Sequence, residues 1–504
     1  MVSPKINAQV GSPRAEKIGT IVRGLRRSSN LTPMLPRFHA LLIFLTAIFS
    51  ARAAEFRLAT FSAEVTIPLG HPCMGGGIAP ARAVADPLFA KGFVLLGAEK
   101  PLVLIAFDWC EIRGTSFDKW KRALAQAAGT EPQRVLVTST HVHDAPVMDE
   151  DAEKLLRDAE ASGAWKNIPP PDPKAAIQIA SVCQPEFNDA CIPRVAAAVR
   201  ESLQHARRVT HFGTGRAKVE RIASNRRFFT SAGVLSYGRG SRTTDREAQD
   251  ADEGAIDPWL RTLSFWDGDQ NGVPVCALHS YAVHPMSSYG AGRVSADFPG
   301  EARALMQQAH PDVFQIYATG CAGNVTAGKY NTGAPENKSA LAARLRDAME
   351  SAWEETQRTP LTSATFRLAH MPLGARDTPN HTEEILRRRL AGGVRPFERA
   401  EAAMGLAWYE RVKRGHRIKV PAIEFDPAHV LMLLPAEAYI EFQIFAQECR
   451  PDAFVMVMGY GECGPGYIPI ERAFQERDSN LNDWAWTPPG SEAVMRAAIR
   501  EVLK

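Results

Sequence analysis

Residues 135–146 read VLVTSTHVHDAP. Val135 to Thr140 are mostly β-branched and apolar, the composition of a buried strand that ends where two histidines begin. On an extended chain, side chains two apart share a face. Extended geometry through residue 143 would therefore bring His141 and His143 into one site at the strand end. Pro146 stops the strand, and Asp144 is able to hold a turn or orient an imidazole. The pair thus sits at a loop mouth, where catalytic groups concentrate. A His-x-His pair alone also fits two solvated surface histidines, so its partners decide the matter.

The next histidines lie in ALHSYAVHPM, residues 277–286, a strand-like run that meets a proline and then the flexible SSYGAG of residues 287–292. His279 and His284 are five apart and face opposite sides of a regular strand. His284, at the end of the element, is the candidate for the site, and His279 reads as a satisfied core histidine. A third run, FQIYATG at 314–320, leads into GCAGNVT at 320–326. There the glycines either allow close approach to a ligand, with amide donors for a developing oxyanion, or make a tight turn. Glu437 follows the apolar run 430–434 and also fits the first turn of a helix beginning near Ala438; Tyr467 also fits a packed aromatic in a Gly/Pro turn.

Taken in order, THVHDAP (140–146), YAVHP (281–285), GCAGN (320–324), LPAE (434–437) and GPGYIP (464–469) resemble the neutral/alkaline ceramidases and their bacterial relatives, over roughly residues 54–504. The resemblance implies a zinc ion held by two histidines, a glutamate and a tyrosine, here His141, His284, Glu437 and Tyr467, and hydrolysis of an N-acyl amide. It implies proton transfer by His143 and an arginine facing the site, Arg226 in the run SNRR at 224–227, with the adjacent Arg227 leaving the register open by one. Zinc takes imidazole nitrogen and carboxylate oxygen and lowers the pKa of bound water to about 7, which suits these residue types. The implied fold is an α/β ceramidase-like catalytic domain, mixed sheets flanked by helices, without the carboxy-terminal immunoglobulin-like domain of those enzymes. Beyond the ligand tyrosine the ceramidases carry Glu-Glu-Tyr and a further tyrosine and glycine, whereas this chain has ERAFQERDS at 471–479. Phe474 stands for the first tyrosine, and the expected substrate is an acyl amide, ceramide or another.

At the amino terminus, Arg23, Arg26, Arg27 and Arg37 precede the apolar ALLIFLTAIF of residues 40–49 and then Ala51-Arg52-Ala53. The apolar run is short for a membrane span, so residues 1–53 read as a secretory signal, 54–504 as the exported enzyme, and an uncleaved anchor as the alternative. Eight cysteines suit an oxidising compartment; Cys183 and Cys191 are spaced to close a short loop, while Cys110 and Cys276 read as buried thiols. A net charge of +3 with dispersed basic residues gives no nucleic-acid footprint. The expected partner is a small-molecule or lipid amide, with association at a membrane surface.

Strand-like runs at 102–107, 135–140 and 430–434 alternate with helical patterns at 116–128, 195–206, 340–353 and 493–503, the signature of α/β layers. Residues 151–173 and 231–254 read as polar loops bordering the cleft. Two other functions remain open: a metal-independent serine hydrolase, disfavoured by the lack of a Gly-x-Ser-x-Gly elbow, and a non-catalytic exported binding protein of the same fold.

Overall fold

The computed structural model describes residues 55–504, so the signal-peptide expectation for residues 1–53 lies outside the described residues. Three sheets form the frame, each built on one plan. In the first, Arg57–Glu64, Phe89–Leu96 and Leu102–Phe107 run antiparallel, and Val135–Ser139 adds parallel to Leu102–Phe107. In the second, His211–Lys218, Trp259–Asp267 and Val273–Tyr281 run antiparallel, and Phe314–Thr319 adds parallel to Val273–Tyr281. In the third, Thr365–Met371, Ile418–Asp426 and His429–Leu433 run antiparallel, and Phe454–Met458 adds parallel to His429–Leu433. A parallel neighbour lies beyond the reach of a tight turn, so each crossover carries a helix: Gly114–Ala128, Asp297–Ala309 and Ile440–Glu448. This is the α/β arrangement of mixed sheets flanked by helices that the periodicity predicts.

The three parallel strands end against one another. Thr138 Oγ1 donates to the Gly459 carbonyl at 2.7 Å, Thr319 Oγ1 to the Thr140 carbonyl at 2.7 Å, and Gly459 N to the Thr319 carbonyl at 2.8 Å. Behind this junction the sheets share one apolar cluster, to which they contribute Leu104 and Leu136, Leu278 and Ile316, and Leu431 and Met456. Each such side chain contributes about 1.5–3 kcal/mol on burial, so the cluster fixes the sheets to one another. A buried bidentate ion pair, Arg303 to Asp108 at 2.7 Å on both arms, ties the helix of the second crossover to the first sheet. The loops leaving the three crossovers therefore meet in one place.

Two expectations are corrected, and the alternative reading of Glu437 is removed. Within 151–173, read as a loop, residues 151–161 belong to the helix Glu150–Ala161; Asp149 caps it by accepting from Ala152 N at 3.1 Å, and acids in its first turn suit the positive end of the helix dipole. Its outward face is nearly all charged, which hides the helical period. Glu437 is not in a first turn: it pairs with Tyr467 in a short parallel bridge, and the helix begins at Ile440. All eight cysteines are free; Cys191 sits inside the helix Pro185–Gln204, where Arg194 donates to its sulfur, instead of closing a loop with Cys183.

Candidate metal centre

Strand geometry stops at Ser139, and His141 adopts a left-handed backbone with φ of 65°. The alternation expected through residue 143 is thus replaced by a kink, which brings the two rings edge to face, with centroids 4.9 Å apart. Ala436 and Tyr460, beside the other two loops of the site, are also left-handed, with φ of 55° each. Such conformations cost about 1–3 kcal/mol apiece in residues with a Cβ and persist only where packing enforces them. Their clustering marks the convergence of the crossovers as the constrained part of the molecule.

His141, His284 and Glu437 meet at that point, all buried. His141 Nδ1 faces the Cys110 carbonyl at 3.0 Å, and His284 Nδ1 faces the Ala322 carbonyl at 2.6 Å. A carbonyl accepts only, so each Nδ1 carries the ring proton and each Nε2 turns a lone pair inward. The two Nε2 atoms lie 3.0 Å apart and 3.2 and 3.1 Å from Glu437 Oε2, an oxygen with no hydrogen-bond donor of its own. Three electron-rich atoms this close, away from water, form a donor set suited to a cation between them. Separations near 3 Å are those spanned by ligands about 2.0–2.2 Å from a common zinc ion. The donor set therefore fits the metal, and the carbonyls behind each imidazole are the supports such sites use. Burial pushes His284 down to about 4, with Arg226 adding to the effect, so its lone pair stays free.

The remaining predicted residues gather around this cluster. His143 gives its Nδ1 proton to the His141 carbonyl at 3.0 Å; burial, then the neighbouring histidines, hold it neutral. Arg226 is buried and donates to Tyr467 Oη at 2.8 Å and to Asn480 Oδ1 at 3.2 Å, while its Nε has no partner. Arg227 instead pairs with Glu476 and lies over Phe229, which removes the ambiguity of register. Tyr467 stands beside Glu437 in the bridge, and burial raises its phenol against the opposing charge of Arg226. His279 is the expected core histidine, bonded to Thr262 and Gln315. A cavity of about 250 Å3 opens over His141, His143, Glu437 and Tyr467. A larger one, about 800 Å3 beside Arg216 and Trp259, contains none of these groups and is set aside on that ground.

No family model and no curated protein matches the chain. Solved structures do. The crystal structure of neutral ceramidase from Pseudomonas aeruginosa is similar with a TM-score of 0.62 at 17% identity, over 89% of this chain and 74% of that one. A structure titled as ceramidase complexed with C2 gives 0.59 at 16%, over 89% and 75%. The chain has the ceramidase fold. At such identities the likeness is one of architecture, and activity has to be argued from the site itself.

Within this ceramidase fold, three of the amides in the segment 320–324 are turned to structural use rather than to a ligand. Gly320 N, Cys321 N and Gly323 N are committed to the Tyr281 carbonyl, Gln443 and the Ala438 carbonyl. Its carbonyls and side chain work instead: Ala322 orients His284, the Asn324 carbonyl receives Arg226 N, and Asn324 Oδ1 receives Ile440 N. Its glycines are needed for close approach, since a Cβ on Gly323 would lie 2.2 Å from the Glu437 carbonyl oxygen. Several site residues escape the sequence reading. Tyr460 stacks on His141 at 4.2 Å, Asn480 holds Arg226, and Phe397 and Trp484 wall the cavity. Beneath His141 lies a fully buried pair, Glu111 and Arg113. Burial pushes the Glu111 carboxyl up, Arg113 opposing and the Glu437 carboxylate adding. Charged residues closing the largely apolar run 102–113 were the one signal available for that pair.

Proposed function

We propose that this chain is a zinc-dependent hydrolase of N-acyl amides, ceramide-like in carrying an apolar arm, and that it works after export and cleavage following Ala53. The observation that carries the reading is the convergence of His141 Nε2, His284 Nε2 and Glu437 Oε2 beside a cavity that His141 and Glu437 line, on a ceramidase fold. Tyr467 is the fourth ligand in this reading, paired in register with Glu437. Zinc bound there supplies Lewis acidity and a water acidic enough to ionise near neutral pH.

The protein's own groups do the rest. Arg226, with an unpartnered Nε, opposes negative charge on the amide oxygen as the carbonyl carbon becomes tetrahedral. His143 has one nitrogen tied to the His141 carbonyl and the other free to pass a proton to the departing amine. Phe397 lines both this cavity and an apolar trough of about 500 Å3 formed with Pro169, Pro170, Ile177 and Val394, which supports a hydrocarbon arm on the substrate. Trough and cavity together are large enough for a lipid amide.

Metal analysis and amide hydrolysis on the purified chain and its His141→Ala variant test the proposal. The expectation is about one zinc per chain, with metal and turnover both lost in the variant. Turnover that survives without metal sinks the reading, and zinc without turnover on any amide favours a binding protein. Amino-terminal sequencing of the exported chain should begin at Ala54.

A further inference from the structure

We propose that Glu111 is a positioning residue for the metal ligands, a buried carboxyl group whose placement sets how tightly His141, His284 and Glu437 hold a divalent cation; the inference rests on the metallohydrolase reading. Glu111 belongs to a two-residue strand, Glu111–Ile112, paired in parallel with Val147–Met148 just past the His-x-His loop. Its carboxyl is wholly buried and lines no part of the cavity, so it does not meet substrate, and it faces His141 from the Nδ1 side, away from the converging Nε2 atoms. One oxygen accepts from Trp484 Nε1 at 3.2 Å and lies 4.0 Å from His141 Nδ1; the other is held by Arg113.

His141 is therefore bracketed by two carboxylates, Glu111 on the side of Nδ1 and Glu437 on the side of Nε2. The direct acceptor for Nδ1 is the carbonyl of Cys110, the residue before Glu111, so one short segment supplies both the hydrogen bond and the charge behind it. This is the carboxylate–histidine–metal arrangement with a peptide carbonyl interposed. Arg113 lies between Trp484 and Trp486, 4.7 and 4.9 Å from their ring centres, and its Nη1 has no hydrogen-bond partner. Holding a dehydrated carboxylate costs several kcal/mol unless positive charge answers it. Arg113 answers on one side, and a cation on the far nitrogen of His141 answers on the other. Trp484, which bonds Glu111 and walls the cavity, links the same carboxylate to the substrate pocket.

The test is zinc affinity, measured by competition with a chromophoric chelator, for the full chain, for Glu111→Gln and for the double variant Glu111→Gln/Arg113→Met. The single variant strands a buried guanidinium and is at risk of misfolding; the double variant removes both charges and keeps the inference open to refutation. Both variants are expected to bind zinc about 10- to 100-fold more weakly, the usual effect of losing an outer carboxylate, while the metal-free double variant melts close to the metal-free wild type. A folded double variant with wild-type zinc affinity would show that Glu111 serves only to neutralise Arg113. If the wild type binds no zinc, or His141→Ala binds as well as wild type, the metal reading itself fails and takes the inference with it.

Discussion

Gly323→Ala probes the closest backbone approach in the site. A Cβ there would lie 2.2 Å from the Glu437 carbonyl oxygen and 2.9 Å from Tyr439 Cδ1. Ordinary contact begins at 3.4 Å, so the loops carrying residues 323 and 437 must part by about 1.2 Å, in an interior too dense to absorb it. The obstacle is main chain, held by the bond from Gly323 N to the Ala438 carbonyl at 3.0 Å, and no side-chain rotation relieves it. A displacement of about 1 Å at a reacting centre costs about 100-fold in rate, equivalent to about 2.7 kcal/mol. Overpacking should lower stability by a further 1–3 kcal/mol or about that. The assay is kcat/KM on an N-acyl amide beside zinc content and thermal melting. Gly392→Ala is the control, because its added methyl meets nothing within 4 Å at the end of the helix Glu383–Gly392. It should leave turnover unchanged and stabilise the helix by up to about 1 kcal/mol. Full zinc occupancy with wild-type kcat/KM in Gly323→Ala would refute the idea that this contact sets the position of Glu437.

Asp108→Asn breaks the buried pair with Arg303 and should cost about 3–5 kcal/mol in denaturant unfolding; a change within error would mean the pair contributes little to docking the helix of the second crossover. Glu462, buried between Arg411 and His416, is pushed up by burial but held below its ordinary range by those two partners. A depressed carboxylate stabilises above its unfolded pKa of about 4.3 and loses that contribution as pH falls through the folded value. Glu462→Gln should therefore be less stable than wild type at pH 7 and converge with it in acid, and a gap independent of pH would contradict the linkage. Val394→Asp puts a charge in the apolar trough, where Val394 is 62% exposed. It should raise KM for long-chain amides while leaving acetyl amides nearly unaffected, and equal effects on both would remove the trough from substrate binding.

The parts legible from sequence are those with a local cause. The runs 102–107 and 135–139 are buried on both faces, so they read as continuous apolar segments. The His-x-His motif, His284, Glu437 and Tyr467 were visible through motif order, and the structure gathers them around one cavity and its floor. What stayed hidden depends on contacts between distant segments. The left-handed turn at His141 has no firm local signature, because histidine adopts it more often than most residues but still in a small minority of cases; the surrounding junction imposes it. Arg226 and Arg227 are indistinguishable until Glu476, far along the chain, claims one of them. Glu111 looks like a misplaced charge in a core strand until His141 is seen beside it. The helix Glu150–Ala161 was missed because its buried residues are few among acids, and its cap, Asp149, looks like any loop aspartate.

The meeting of three crossovers has a consequence for the order in which the molecule is made. His141, His284 and Glu437 are separated by intervals of roughly 150 residues, so the loops they close are among the longest the chain forms, and long loops close late. During synthesis the first sheet is complete once Arg207–Arg208 has emerged, the second once Gln357–Pro360 has, yet each then presents only a fragment of the centre. Tyr467 must leave the ribosome before the last wall can be set in place. A piece of the chain that ends before Tyr467 lacks part of the centre, so the site is assembled only when most of the chain has been built.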